Sequence, residues 1–440
     1  MTQHSIEPQT VEPRIESRRN FLKSSSLLMA TGSVVPALAS TPEPKPNLDE
    51  LRVGLIGCGS RGVSAALQIL QTEGPIRIVG LADAFEHRIA GAHRTLRSHA
   101  SSSPHPLRFS GLDAYRRLLE CDLDVVLLAA PPAFRADHFQ ACVEAGKHVF
   151  VERPIASDPM SVQRMLEINM DAVQKRLTIH VGLQRRHLLR YQSLVAKIHE
   201  GAIGDIVMAR IIANTGAPSA RSRNPDQSEL AYQIENWRHF GWLGGDPFVE
   251  QMSQHLDVIQ WALASLPTEA QGQGGKQSHA LGNVFDHHFV EYTFDRSIKV
   301  SAQCRRMDGC WNQVGEWIYG TEGSVDFSAG RLFDRQGRVL LEESAKEDGY
   351  QQEMNHFVAS IRAANGSNEL GWGAEATQSA LLGCMASYTG RRLRSEDWKR
   401  VPPSSMDPLP MQLQASAPVL PDAAGHYAVP IPGQAITRKA

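Results

Sequence analysis

The stretch Val53-Gly54-Leu55-Ile56-Gly57-Cys58-Gly59-Ser60-Arg61-Gly62 is an apolar run that breaks into Gly-x-Gly-x-x-Gly, and Val63, Ala66, Leu67 and Leu70 then follow at helical spacing. This pattern predicts a strand, a tight phosphate loop and a helix. Gly57 permits the sharp turn, Gly59 lets the backbone approach a pyrophosphate, and Gly62 lets the helix pack close to the strand. Free amides at the helix start, from Cys58 through Ser60 and Arg61, receive the phosphate charge. A second strand, Ile76 to Ala82, ends in Asp83, about the ~20-residue interval expected for the acid that binds the ribose hydroxyls. A carboxylate there repels a 2′-phosphate, so NAD is preferred over NADP. Asp83 has a second reading, as a helix N-cap only.

The chain has 440 residues, 42% apolar and 21% charged, with a formal net charge of −2. That length and composition suit two or three domains with substantial cores. The charge argues against a nucleic acid partner, and after the N-terminus no run supplies the roughly 20 apolar residues of a membrane span. The six cysteines (58, 121, 142, 304, 310, 384) have no zinc-like spacing, so no metal ligand set is expected. Cys304 and Cys310 flank a turn-like Met307-Asp308-Gly309, which leaves a local disulfide open.

Ser17-Arg18-Arg19-Asn20-Phe21-Leu22-Lys23 precedes a short apolar stretch and Ala37-Leu38-Ala39, a small-x-small cleavage signal. Residues 1–39 therefore read as a twin-arginine signal, and a periplasmic or otherwise exported protein is expected. Residues 40–50 form a linker. Alternating strand and helix patterns over 51–186 predict a doubly wound parallel sheet, a Rossmann domain. Ser157-Asp158-Pro159 marks a helix start, with the Ser157 hydroxyl as cap. From 187 to 400, hairpin-like strands predict an α+β domain with an open, mainly antiparallel sheet, closed by helices at Glu353–Ala364 and Ala374–Tyr388. Residues 401–440 form a Pro-rich tail.

The fingerprint, Ala130-Pro131-Pro132, the run Ala145-Gly146-Lys147-His148-Val149-Phe150-Val151-Glu152-Arg153-Pro154 and the run Gly182-Leu183-Gln184-Arg185-Arg186-His187 together resemble the glucose-fructose oxidoreductase, inositol dehydrogenase and MocA (Gfo/Idh/MocA) family. The similarity extends through Phe285 to Tyr292 and Val419-Leu420-Pro421-Asp422, an exported branch. It implies a nicotinamide cofactor, a sugar or cyclitol substrate, and oligomer contacts through the outer face of the second sheet. Ala130, Pro131, Glu152 and Arg153 then border the cofactor.

Two departures stand out. The family pattern has Glu-Lys-Pro where this chain has Glu152-Arg153-Pro154; a lysine can be tuned to shuttle a proton, whereas arginine stays charged. The family's acid, histidine and acid on the helix facing the nicotinamide match Glu250, Gln254 and Asp257, and Gln254 cannot accept a proton from an alcohol. At about 100° per residue, Glu250, Gln254, Asp257 and Trp261 share one stripe, opposite Met252, Leu256, Ile259 and Leu263. His255 falls off the site stripe and reads as structural, unless unwinding at Gly244-Gly245-Asp246-Pro247 rotates it into place. Arg153, Glu250, Gln254 and His255 are the catalytic candidates. Arg185, Trp237 and His287 are the substrate candidates. The expected function is a redox reaction on a carbohydrate or cyclitol with tightly held NAD, with a catalytically lapsed nucleotide- or sugar-binding protein as the alternative.

Overall fold

Short strands that are apolar on both faces need cover on both sides, which only helices packed above and below a parallel sheet provide. Val125, Val126, Leu127 and Leu128 are all fully buried, and their strand lies in the interior of such a sheet. The computed structural model describes residues 50–99, 105–278, 281–344, 346–397 and 412–434. Residues 1–39, read from the sequence as an export signal, and the start of the tail lie outside them.

The first sheet contains β1 (Leu51–Ile56), β2 (Ile76–Asp83), β3 (Leu107–Ser110), β4 (Val125–Leu128), β5 (His148–Val151) and β6 (Ile179–Val181), in the order β3-β2-β1-β4-β5-β6. Every pairing is parallel. Helices α1 (Ser60–Leu70), α2 (Glu86–His99), α3 (Ala114–Leu119), α4 (Pro132–Glu144) and α5 (Pro159–Gln174) connect the strands. The order reverses between β1 and β4, and the glycine loop sits at that switch point, where ligands bind in open α/β sheets. The cap of α5 is Asp158, which accepts from Ser161 N at 3.0 Å, rather than Ser157. A carboxylate in extended conformation reaches the free amide better from the residue directly before Pro159.

After α6 (Leu189–His199) the second sheet collects β7 (Ile206–Thr215), β8 (Glu269–Gly275), β9 (His287–Thr293), β10 (Lys299–Arg306), β11 (Gln313–Gly320), β12 (Gly323–Asp326), β13 (Arg331–Asp334), β14 (Val339–Glu342) and β15 (Leu393–Arg394). Their order is β14-β13-β12-β11-β7-β10-β9-β8-β15, antiparallel except for the β7–β10 pair. The segment before the sheet's central helix forms α7 (Glu229–Glu235) and α8 (Gly241–Gly244). α9 (Pro247–Leu263) and α11 (Leu370–Thr389) cover one face of the sheet. The other face is open and carries Met208, Phe289 and Tyr319, all exposed.

α10 (Gly349–Arg362) does not close the second domain as its position in the chain suggests. Its Met354, Phe357, Val358 and Ile361 pack against Leu51, Val53, Ile69 and Phe150 of the first sheet's core. Cys304 is buried and Cys310 exposed, and both are free thiols. The alternation of β10 turns Cys304 toward α9, where its thiol faces Pro247 O, so the open disulfide does not form.

Candidate active site

Gly57 has φ +97°, a left-handed conformation, and a Cβ there would run into the Ala129–Ala130 backbone. At Gly62 a Cβ would collide with the carbonyl of Gly57. Gly59 differs: a Cβ would meet only the Arg88 guanidinium, at 3.7 Å. The loop is therefore tight where it touches protein and open where a pyrophosphate would lie. Gly59 caps α1 with no side-chain hydrogen bond, which leaves the first amides of the helix for an anion.

Asp83 ends β2 beside this loop, and its carboxylate accepts from Cys58 N at 2.7 Å and Phe85 N at 3.0 Å. Burial pushes its carboxyl above the ordinary range, against the pull of those two amides. Asp83 ties the loop to the turn before α2 and lines the cleft; α2 starts only at Glu86, so Asp83 is not its N-cap. That cleft is lined by Gly57, Gly59, Asp83, Arg88, Ala130, Pro131, Phe134, His138 and Trp237, among others. These groups suit a dinucleotide: a glycine cradle, an acid for ribose hydroxyls, and a cation over the phosphate loop.

Three other loop residues take different places. Cys58 is buried, with its thiol toward Ala82 O and its pKa raised by burial, so only its backbone belongs to the loop. Ser60 is exposed at the helix start. Arg61 turns away from the cleft to pair with Glu152 at 2.6 Å and Glu353 at 3.0 Å, while its guanidinium stacks on Tyr350. Glu152 is thus an internal counter-ion and does not line the cleft. Burial and the Glu152 charge hold the fully buried Glu353 carboxyl well above its ordinary range.

At the carboxyl end of β5, the Arg153–Pro154 peptide bond is cis. Arg135 fastens this turn by donating to the carbonyls of Ala130 (2.8 Å), Glu152 (2.6 Å) and Pro154. It is buried enough for its pKa to fall to about 10. Arg153 donates from Nη1 to Glu250 O at 2.5 Å, which joins the turn to α9. Glu250 in turn accepts from Arg238 Nε at 2.9 and 3.2 Å. Gln254, one helical turn further, keeps a buried Oε1 with no hydrogen-bond partner. Glu250 and Gln254 thus lie one turn apart on α9 and Arg153 reaches the Glu250 carbonyl, while none of the three lines the cleft of the glycine loop. Trp237 does line it, with Arg238 over its ring.

His255, Arg185 and His287 do not belong to the face of Glu250 and Gln254. α9 starts at Pro247, capped by Asp246 on Phe248 N, so no unwinding rotates His255 toward the cleft. It is fully buried on the sheet side, with Glu316 Oε1 at 2.8 Å and Arg185 Nη1 at 2.7 Å from its Nδ1. Burial, reinforced by Arg185, lowers its pKa to about 4. Arg185 itself pairs with Glu316 in this interior cluster, which satisfies its charge and removes it from substrate contact. Burial raises Glu316, but Arg185 and His255 outweigh it and hold the carboxyl below its usual range. His287 alternates with the buried His288 on β9 and points to the open face of the second sheet, 2.8 Å from Asp286. Arg186 is equally structural: it forks onto Asp257 and lies between Trp261 and Trp372.

Arg88, Arg135 and the role of Glu353 have no signal in the sequence. Arg238 lies in the segment Asn236 to Trp242, whose aromatic and hydrogen-bonding content suits a sugar. Arg135 and Glu353 act only through residues distant in sequence, which no local pattern reports.

Residues 51–182 match an oxidoreductase family with an NAD-binding Rossmann fold, and residues 191–326 match the GFO/IDH/MocA C-terminal domain. Glycosyl hydrolase family 109 protein 2 of Shewanella sp. (strain ANA-3) is 35% identical over 156 residues, 32% of this chain and 34% of the relative. The matched stretch thus spans about a third of that relative's length. Inositol 2-dehydrogenase 2 of Saccharopolyspora erythraea is 27% identical over 347 residues, 77% of this chain and 93% of the relative. Among solved structures, scyllo-inositol dehydrogenase from Lactobacillus casei with bound NAD(H) and scyllo-inositol superposes with TM-score 0.60 at 17% identity, covering 79% of this chain and 99% of that one. Levoglucosan dehydrogenase with NADH and levoglucosan gives TM-score 0.62 at 18% identity, with 79% and 99% covered. The two matched domains together span more than half of the sequence, and the chain belongs to the Gfo/Idh/MocA oxidoreductase family.

Proposed function

We propose that this protein is an exported enzyme that holds NAD tightly and acts on a carbohydrate or cyclitol, with the hydride returned within each cycle. The observation that carries the proposal is the cleft that joins the glycine cradle to Asp83, whose wall at Trp237 leads through Arg238 to Glu250 on α9. Bound NAD would take a hydride from a substrate carbon and give it back. Gly57 to Gly62 would seat its pyrophosphate, Arg88 would offset the phosphate charge, and Asp83 would accept from the ribose hydroxyls. The partial likeness to glycosyl hydrolase family 109 proteins favours a redox-neutral glycosidase or epimerase over a conventional dehydrogenase.

The chain's own residues constrain where the proton goes. Arg153 stays charged, so it holds a substrate oxygen as a cation and does not carry the proton away. Gln254 offers its free Oε1 as an acceptor for a substrate hydroxyl and its amide as a donor. Glu250 is the ionisable acceptor one turn from Gln254, with Arg238 fixing its orientation. The second sheet's open face, with Met208, Phe289 and Tyr319, is the proposed homo-oligomer contact.

The catalytically lapsed binder remains a second reading, favoured by Gln254 in place of a titratable group. Mass spectrometry of native purified protein, with turnover on a glycoside and cyclitol panel, separates the two. Co-purified NAD with turnover supports the enzyme. A protein that binds no dinucleotide sinks it, and activity gained only by the Arg153→Lys, Gln254→His double variant supports the binder. Export is tested by fractionating cells expressing the Arg18→Lys, Arg19→Lys variant, which should leave the protein in the cytoplasm.

A further inference from the structure

Behind the cleft, His180 on β6, His187 at the end of the turn Gln184–His187, and Glu369 just before α11 meet in the interior, 2%, 7% and 6% exposed. None of the three lines the nucleotide cleft. His180 Nδ1 and His187 Nε2 each lie 3.5 Å from Glu369 Oε1, and the three atoms are mutually within 4.8 Å. Neither nitrogen has a hydrogen-bond partner.

The opposite atoms of the same three side chains are anchored. His180 Nε2 meets Ser367 Oγ at 3.2 Å, His187 Nδ1 meets His356 Nδ1 at 2.8 Å, and Glu369 Oε2 accepts from Val181 N at 3.1 Å. A ring nitrogen that donates on its far side presents a lone pair on its near side, the arrangement that orients metal-ligating histidines. Both ring nitrogens and the carboxyl oxygen then point into one buried space with no hydrogen bond among them, a set that a shared cation satisfies. The spacing fits such a cation: ligand atoms around a tetrahedral zinc with bonds near 2.1 Å are separated by about 3.4 Å.

We propose that His180 Nδ1, His187 Nε2 and Glu369 Oε1 bind a divalent transition metal of the zinc class, with water in the fourth position. The site joins the edge of the first sheet to the start of α11, where Ile179 and Asn368 already form a parallel bridge. His356 is exposed beside His187, which gives an ion a short path from solvent. The role is structural: the metal fastens the second domain's long helix to the nucleotide-binding sheet. Its separation from the cleft makes it independent of NAD.

The test uses the full-length protein, stripped with chelator and reloaded with zinc or cobalt(II). One equivalent of zinc per chain, the visible d–d absorption of tetrahedral cobalt, and X-ray absorption that fits two imidazoles and one carboxylate support the site. A rise in Tm on zinc addition that is lost in both His187→Gln and Glu369→Gln supports its fastening role. X-ray absorption on the unsubstituted protein keeps the test decisive if the variants fail to fold. Absence of the cobalt spectrum, a different ligand set, or full zinc retention by both variants overturns the proposal.

Discussion

The phosphate loop and the candidate catalytic face are built in different ways. The loop is a backbone device: Gly57, Gly59 and Gly62 work because they lack side chains, so thirty residues of sequence suffice to read it. The catalytic face is a chain of side-chain pairs. Arg135 holds the Arg153 turn, Arg153 reaches the Glu250 carbonyl, and Arg238 holds the Glu250 carboxylate. Each partner comes from a different element, so a change at one link passes to the next without touching the nucleotide loop.

The largest expected effect breaks an interior link and leaves the loop alone. Glu316 is fully buried and neutralises Arg185 against His255. Glu316→Ala leaves that guanidinium buried without its counter-ion, a loss of about 3–5 kcal/mol in stability. Urea denaturation measures it, and NADH titration of the folded fraction should give the unsubstituted affinity. Unchanged stability would mean that the cluster is reached by water and that the cores of the two domains are less continuous than their packing implies.

A smaller effect addresses the loop directly. Asp83→Asn removes a charge that accepts from Cys58 N and Phe85 N and would accept from a ribose. Loss of one charge-assisted hydrogen bond is worth about 1.5–3 kcal/mol, so NAD binding should weaken roughly ten- to a hundred-fold. NADP, freed from a repulsive carboxylate, should weaken much less. Calorimetric titration of both nucleotides reads the difference. Equal losses would assign Asp83 to loop geometry alone.

The same contrast explains what the sequence made legible. The parallel sheet could be read because Val125 to Leu128 is apolar on both faces, and the second sheet because His287 to Thr293 alternates. The stripe of Glu250 and Gln254 could be read because helical spacing is local. Arg185 and His287 were misplaced for a common reason: their positions follow from partners about 130 residues away or from which face of a strand is covered. Arg185 reads as a substrate contact at the ligand end of a strand, but Glu316 draws it inward. α10 was assigned to the wrong domain because chain order does not say which sheet its apolar stripe meets.

The smallest effect sharpens the comparison at the wall of the cleft itself. His138 lies on α4, packed at 4.4 Å from the Tyr115 ring and stacked on Phe134. Burial, with Arg135 adding to it, lowers its pKa to about 3. The folded protein therefore keeps this ring neutral where the unfolded chain, with an ordinary value near 6.5, takes up a proton. The stabilising preference is complete above pH 6.5 and is lost progressively as pH falls from 6.5 toward 3, by about 1.4 kcal/mol per pH unit. Between pH 7.5 and 5 that amounts to about 2 kcal/mol. His138→Phe keeps the ring packing and removes the proton, so urea unfolding of the variant should lose that much less stability over the interval. Equal losses in the two proteins would show that water already reaches this wall, and the cleft would then be wetter beneath Asp83 than its apolar lining implies.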